Sequence, residues 1–168
     1  MAEFTVFAEA FQYPRPGLAS RLQAGIDEIQ EGPSRTAFSR FLEGVTCLDL
    51  GEWEELYTRT LDLNPKIAPY IGYQVWGDTY PRGDFLSRLN QELARCSIDL
   101  EGELPDHLLP VLHYMDCAAA PMAELKELLP QALQAMYRLL KKTDPVNPYG
   151  FLLQAVEAAV LVKYKKED

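Results

Sequence analysis

The chain has 168 residues, a formal net charge of −9 and an isoelectric point near 4.7. That length suits a single hydrophobic core, and 48% hydrophobic against 24% charged residues excludes an intrinsically disordered chain. The acidic balance argues against a nucleic-acid binder, because displacing counterions from phosphates requires clustered Lys and Arg; a basic or cationic amphipathic partner suits it better, the alternative being that the charge only keeps the chain in solution.

Leucine occurs 25 times against 13 for valine and isoleucine together, and the apolar residues recur at three and four positions, not two, so the chain reads as helices throughout. Met1-Ala2-Glu3-Phe4 lacks a basic n-region, and the apolar stretch from Phe151 to Val162 is broken by Gln154 and Glu157. The expectation is a cytoplasmic protein with no export signal and no membrane insertion. Leu18, Leu22, Ile26 and Ile29 form the first clear stripe, closed by Gly32-Pro33. Ser34 is placed to cap a helix bearing Phe38, Phe41, Leu42 and Val45. Asp49 and Glu52 have capping-box spacing ahead of Trp53, Leu56, Tyr57 and Leu61, and that helix must stop by Asn64, before Pro65.

Pro69 opens a short helix carrying Tyr70, Ile71, Tyr73, Gln74 and Trp76, which Gly77 ends, and Asp78 to Gly83 reads as a tight polar turn. Further helices follow: one through Phe85, Leu86, Leu89, Leu93 and Cys96, one from Asp106 to Cys117, and the longest from Met122 to Lys142. A last helix begins near Pro148. With no internal repeat or linker, the chain is expected to be one domain over residues 1–168, all-α, a compact bundle of about seven to nine helices.

Chemistry-bearing constellations are missing. Cys47, Cys96 and Cys117 are odd in number, far apart and in no C-x-x-C pair, which disfavours a disulfide framework and a zinc site and suggests small apolar core residues. His107 and His113, six positions apart, would lie about 120° apart around a helix, unlike an i,i+4 metal pair. No phosphate-binding glycine loop or nucleophile elbow is present. No catalytic residue, metal or cofactor is expected, and the chain is not expected to be an enzyme.

Two stretches carry more polar and aromatic residues than packing needs. Leu56 to Gly83 places Tyr57, Arg59, Asp62, Tyr70, Tyr73, Gln74, Trp76, Asp78 and Arg82 within a few turns, and Tyr and Trp suit a surface receiving a partner, the alternative being that these aromatics are core residues with satisfied hydroxyls. Glu103-Leu104-Pro105-Asp106-His107-Leu108 sets Glu103 and Asp106 at a helix N-terminus, where negative charge is favoured, and Asp99 and Glu101 extend the acidic run.

Leu56-Tyr57-Thr58-Arg59-Thr60-Leu61-Asp62-Leu63-Asn64-Pro65-Lys66, Arg82-Gly83, Glu103 to Leu108 and Asn147-Pro148-Tyr149, in that order, resemble the NarJ type of molybdoenzyme assembly chaperone. The wider resemblance is to the TorD/DmsD superfamily, whose E-x-x-D-H element is matched by Glu103, Asp106 and His107. The resemblance implies an all-helical cytoplasmic chaperone, monomeric or dimeric. Such a protein binds the N-terminal leader peptide of a molybdoenzyme catalytic subunit, typically nitrate reductase. It keeps that subunit competent for cofactor insertion and is absent from the finished enzyme. The chain departs from the pattern in its shorter length and in His113, which stands where an acidic residue is common.

The peptide-binding residues expected on this basis are the nine of the first stretch with Glu103, Asp106 and His107. In that expectation Tyr57, Tyr70, Tyr73 and Trp76 line a groove, and Asp62, Asp78, Glu103 and Asp106 form its rim. Arg59 and Arg82 are alternatively internal partners of nearby carboxylates, and His107 a hydrogen-bonded structural residue. A permanent helical adaptor or accessory subunit of a redox complex is the rival reading.

Overall fold

A computed structural model describes residues 2–165 of the chain. Among them are nine α-helices and no strand: α1 (Glu3–Ala10), α2 (Leu18–Ala24), α3 (Pro33–Thr46), α4 (Leu50–Tyr57), α5 (Ile71–Trp76), α6 (Tyr80–Arg95), α7 (Leu108–Cys117), α8 (Leu125–Thr143) and α9 (Pro148–Lys165). A 3₁₀ turn, Ile26–Glu28, follows α2, and a π-helical turn, Thr58–Asp62, continues α4. No described helix is long and apolar enough to cross a membrane.

The all-helical bundle expected from the leucine-rich period is therefore present. Helix α8 buries Leu125, Leu128, Leu129, Ala132, Leu133, Met136 and Leu140, a stripe repeating every three or four residues. Helix α9 is buried around much more of its circumference, through Tyr149, Leu152, Leu153, Ala155, Val156, Ala159 and Val160, because α3 packs along one side and α8 along another. Helix α1 packs on α7, and α5 on α8. A line of rings runs from the interior to the surface in the order Phe4, Phe7, Phe38, Phe41, Tyr149, Tyr57 and exposed Tyr13, with successive centroids 5.3 to 6.1 Å apart.

Local signals explain several helix ends. The Glu52 amide donates to Asp49 Oδ1 at 2.8 Å and the Asp49 amide to Glu52 Oε2 at 2.9 Å, completing the capping box. Ser34 does not cap: α3 starts at Pro33 behind Gly32, and the Ser34 hydroxyl donates to the Ala155 carbonyl at 2.7 Å, tying α3 to α9. The expected turn at Asp78–Gly83 is shorter, since Tyr80 and Pro81 already begin α6; proline there loses an amide with no helical acceptor. Helix α1 escaped the periodic reading because it is apolar on most faces, with Phe4, Val6, Phe7, Ala8 and Ala10 all buried.

The cysteines also depart from expectation. Cys47 and Cys117 are exposed and only Cys96 packs partly against the core. Each lies at or just beyond a helix C-terminus, where the chain turns outward.

Helix α3 lies tight against the start of α9 at Gly44. A Cβ there would lie 2.7 Å from Pro148 Cγ and 2.8 Å from its Cβ. Gly44→Ala should force the helices apart and cost about 1–3 kcal/mol in urea unfolding, as overpacking does elsewhere. An unchanged midpoint would mean that the crossing relaxes freely.

Candidate functional site

The segment after α6 reaches back to the start of α5. The Ile71 amide donates to the Asp106 carbonyl at 2.8 Å and the Leu108 amide to the Pro69 carbonyl at 2.8 Å, forming an isolated antiparallel bridge between Tyr70 and His107. This bridge brings together two stretches that are far apart in sequence.

Beneath it lies a buried ion pair. Asp106 is 0% exposed, and Arg82, in the first turn of α6, meets it with two bonds: Nε to Oδ2 at 3.0 Å and Nη2 to Oδ1 at 3.3 Å. Arg82 Nη1 donates to Asp78 Oδ1 at 2.8 Å, so the guanidinium joins a buried and an exposed carboxylate. Its carbon also stands 5.4 Å from the Tyr73 ring centroid and 5.9 Å from that of Tyr70. Burial lowers the Arg82 pKa, but the bonds to Asp106 and then Asp78 more than offset it and leave it raised. Gly72 makes room for the pair, because a Cβ there would lie 2.8 Å from Asp106 Oδ2.

His107 is 2% exposed and serves as the N-cap of α7. Its Nδ1 accepts from the Leu109 amide at 3.0 Å, which puts the neutral ring's proton on Nε2. Burial lowers its pKa, and the negative charges of Glu103 and Asp106, acting the other way, do not outweigh it. His107 and Asp106 therefore support the site from inside; the rim position expected for Asp106 is not open to it, since none of its surface reaches solvent.

The outer face is acidic and aromatic. The Tyr70 hydroxyl donates to Glu103 Oε2 at 2.5 Å, and its pKa is raised by burial, then by that bond and by the charges of Glu103, Asp106 and Asp62. Asp62 is exposed, and partial burial followed by the charge of Glu103 raises its pKa. The two carboxylates therefore stand close enough to repel one another. Among the described residues no cation forms an ion pair with either. Each is followed in the chain by an exposed leucine, Leu63 at 75% and Leu104 at 47%.

The remaining expected residues scatter. Tyr57 is only 6% exposed, its hydroxyl donates to the Phe11 carbonyl at 3.0 Å, and Tyr13 covers its ring, so it belongs to the core and not to a groove. Trp76 packs on Phe85, Gln74 donates to the Ala68 and Lys66 carbonyls, and exposed Arg59 lies 3.9 Å from Asp144. Tyr70, Tyr73, Gln74 and Trp76 are each half-buried, and of these Tyr70 and Tyr73 stand against Arg82 near Asp78 and Glu103.

A second polar knot lies behind Tyr57. The buried Asn147 donates to Thr60 Oγ1 at 2.9 Å and to Asp144 Oδ2 at 3.1 Å, and its Oδ1 accepts from the Tyr149 amide at 3.0 Å. Trp53 Nε1 donates to the Tyr149 hydroxyl at 3.1 Å. The π-helical turn makes this possible: the Leu63 amide bonds the Thr58 carbonyl, which widens the turn and aims Thr60 inward. The sequence motifs contain Asn147, Thr60, Leu63 and Leu104 without giving any of them a role, and nothing in the sequence marks Gly72.

Among the described residues no group of His, Cys, Asp and Glu can hold a metal ion. Compared with known proteins, the chain matches no family model, and no curated protein gives a match.

Asp106→Asn should destabilise the fold by about 3–5 kcal/mol, since it strips the charge partner from a buried guanidinium, as denaturant unfolding will measure. His107 has a folded pKa below its unfolded value of about 6.5. Above that pH both states are neutral, and as pH falls below it the unfolded chain takes up a proton that the folded chain resists, so stability is lost. His107→Asn, which keeps an N-cap acceptor, should shrink the stability loss between pH 7.5 and pH 5.5 relative to wild type. An equal loss in both proteins would remove His107 as its source.

Proposed function

We propose that this chain is a chaperone of the NarJ type, which holds the N-terminal segment of a molybdenum-cofactor oxidoreductase catalytic subunit and keeps it competent for cofactor insertion. The observation that carries the reading is the acidic and aromatic face where Glu103 accepts the Tyr70 hydroxyl, where its charge also raises the Asp62 pKa, and where, among the described residues, no cation pairs with either acid, with half-buried Tyr73 nearby. A basic side chain from a partner would relieve that repulsion, and apolar side chains would cover Leu63 and Leu104. The occupant that fits is a short amphipathic segment with basic and apolar positions, in keeping with the net charge of −9.

The four motif segments that resemble the chaperone family also meet in two pairs. Arg82 bonds Asp106, Asn147 bonds Thr60, and Tyr57 packs on Tyr149. In this reading Arg82, Asp106, His107 and Asn147 hold the face in shape, while Asp62, Asp78, Glu103, Tyr70 and Tyr73 touch the client. Burying two or three client side chains contributes about 1.5–3 kcal/mol each, whereas an exposed ion pair contributes about 0.2–1 kcal/mol. Apolar contact then supplies affinity, and the acids set orientation and association rate.

Calorimetric titration with leader peptides of candidate catalytic subunits, at low and high salt, tests the proposal. The double variant Asp62→Asn, Glu103→Gln should weaken binding roughly 2- to 30-fold at low salt and lose most of the salt dependence, with helical content unchanged. Failure of every leader to bind would return the chain to a helical domain of no assigned client. Co-purification with the cofactor-free catalytic subunit, and absence from the mature enzyme, would distinguish a chaperone from a permanent subunit.

A further inference from the structure

Cys96 and Cys117 are 21 positions apart in sequence, yet the fold sets them side by side: Cys117 Sγ lies 3.7 Å from the Cys96 carbonyl oxygen. Cys96 closes α6 and Cys117 closes α7, so both sit where two helices end together. Both are free thiols; Cys117 is exposed and Cys96 partly buried behind it. Between them runs the segment that bears Glu103, Asp106 and His107.

We propose that Cys96 and Cys117 form a reversible thiol pair that a low-molecular-weight disulfide, such as glutathione disulfide, oxidises to an intramolecular disulfide. The exposed Cys117 thiolate attacks one sulfur of glutathione disulfide and expels a glutathione thiolate, leaving a mixed disulfide on Cys117. The Cys96 thiolate then attacks the Cys117 sulfur and expels the second glutathione thiolate. The two protein thiols lose two protons and two electrons, and the glutathione disulfide takes up both as two glutathione thiols. The product ties the C-terminus of α6 to that of α7 and closes the acidic segment into a covalent loop.

The surroundings set the pace. Burial, then the hydrogen bond with the Cys117 thiol, raises the Cys96 pKa, and the charges of Cys117 and Glu92 add to this. Asp99 and Glu101 from the connecting segment and Asp116 beside Cys117 add negative charge, while His113 stands one turn before Cys117 and Arg95 is bonded to Glu92. The attack by Cys96 therefore quickens as pH rises. This pair stands independently of whether a client peptide binds.

The test is to equilibrate the full chain with graded ratios of oxidised to reduced glutathione at pH 8, quench with an alkylating agent, and map the peptides by mass. The expected product is a monomer lighter by two hydrogens, with Cys96 joined to Cys117 and Cys47 outside the bond. Its melting temperature should be higher by roughly 5–10 °C and return on reduction. Cys96→Ser should stop at a glutathione adduct on Cys117, and raising the pH from 7 to 8.5 should speed ring closure in the wild type. The proposal fails if Cys96 and Cys117 carry separate adducts or stay alkylatable while Cys47 reacts, or if the bonded form melts no higher than the reduced one.

Discussion

A carboxylate with no exposed surface has to be matched by a cation held in place, and here Asp106 has Arg82. Removing such charges from water costs several kcal/mol per ion unless each lone pair and proton finds a partner, so the pair fixes everything near it. Gly72 must stay without a Cβ, the Tyr70 and Tyr73 rings lie beside the guanidinium, and the Tyr70–His107 bridge seals the segment over the top. The start of α5, the first turn of α6 and the N-cap of α7 thus meet at one guanidinium.

This arrangement separates support from contact. Arg82 is bonded to Asp106 and to Asp78, His107 accepts a backbone amide, and Asn147, Thr60, Tyr149 and Trp53, with Asp144 bonded to Asn147, form a second set behind Tyr57. What remains outside is Tyr70 with Glu103, Asp62 repelled by Glu103, and the two exposed leucines that follow these acids. The proposed uptake of a basic amphipathic segment rests on this rigid back with an acidic and apolar front, where binding would relieve repulsion at little ordering cost.

The same division accounts for the difference between the expected groove and the observed face. Tyr and Trp close together in sequence are enriched both at interfaces and in cores, and sequence spacing does not distinguish the two. Tyr57 found a backbone carbonyl and is buried, whereas Trp76 is half-buried against Phe85 and Tyr70 and Tyr73 are half-buried against the Arg82 guanidinium.

The sequence by itself determined the all-helical class, most helix positions and the Asp49–Glu52 cap, because apolar periodicity and capping are local and act over one or two turns. It did not reveal α1, whose faces are nearly all apolar, or the π-helical turn at Thr58–Asp62, which answers to Asn147 far along the chain. The motif series named Glu103, Asp106 and His107 together, but only the tertiary structure decided that the first faces outward and the other two inward, since a residue's burial depends on which element packs over it. The cysteines show the same rule: Cys96 and Cys117 look unrelated in the chain and become neighbours only because α6 and α7 end at the same place.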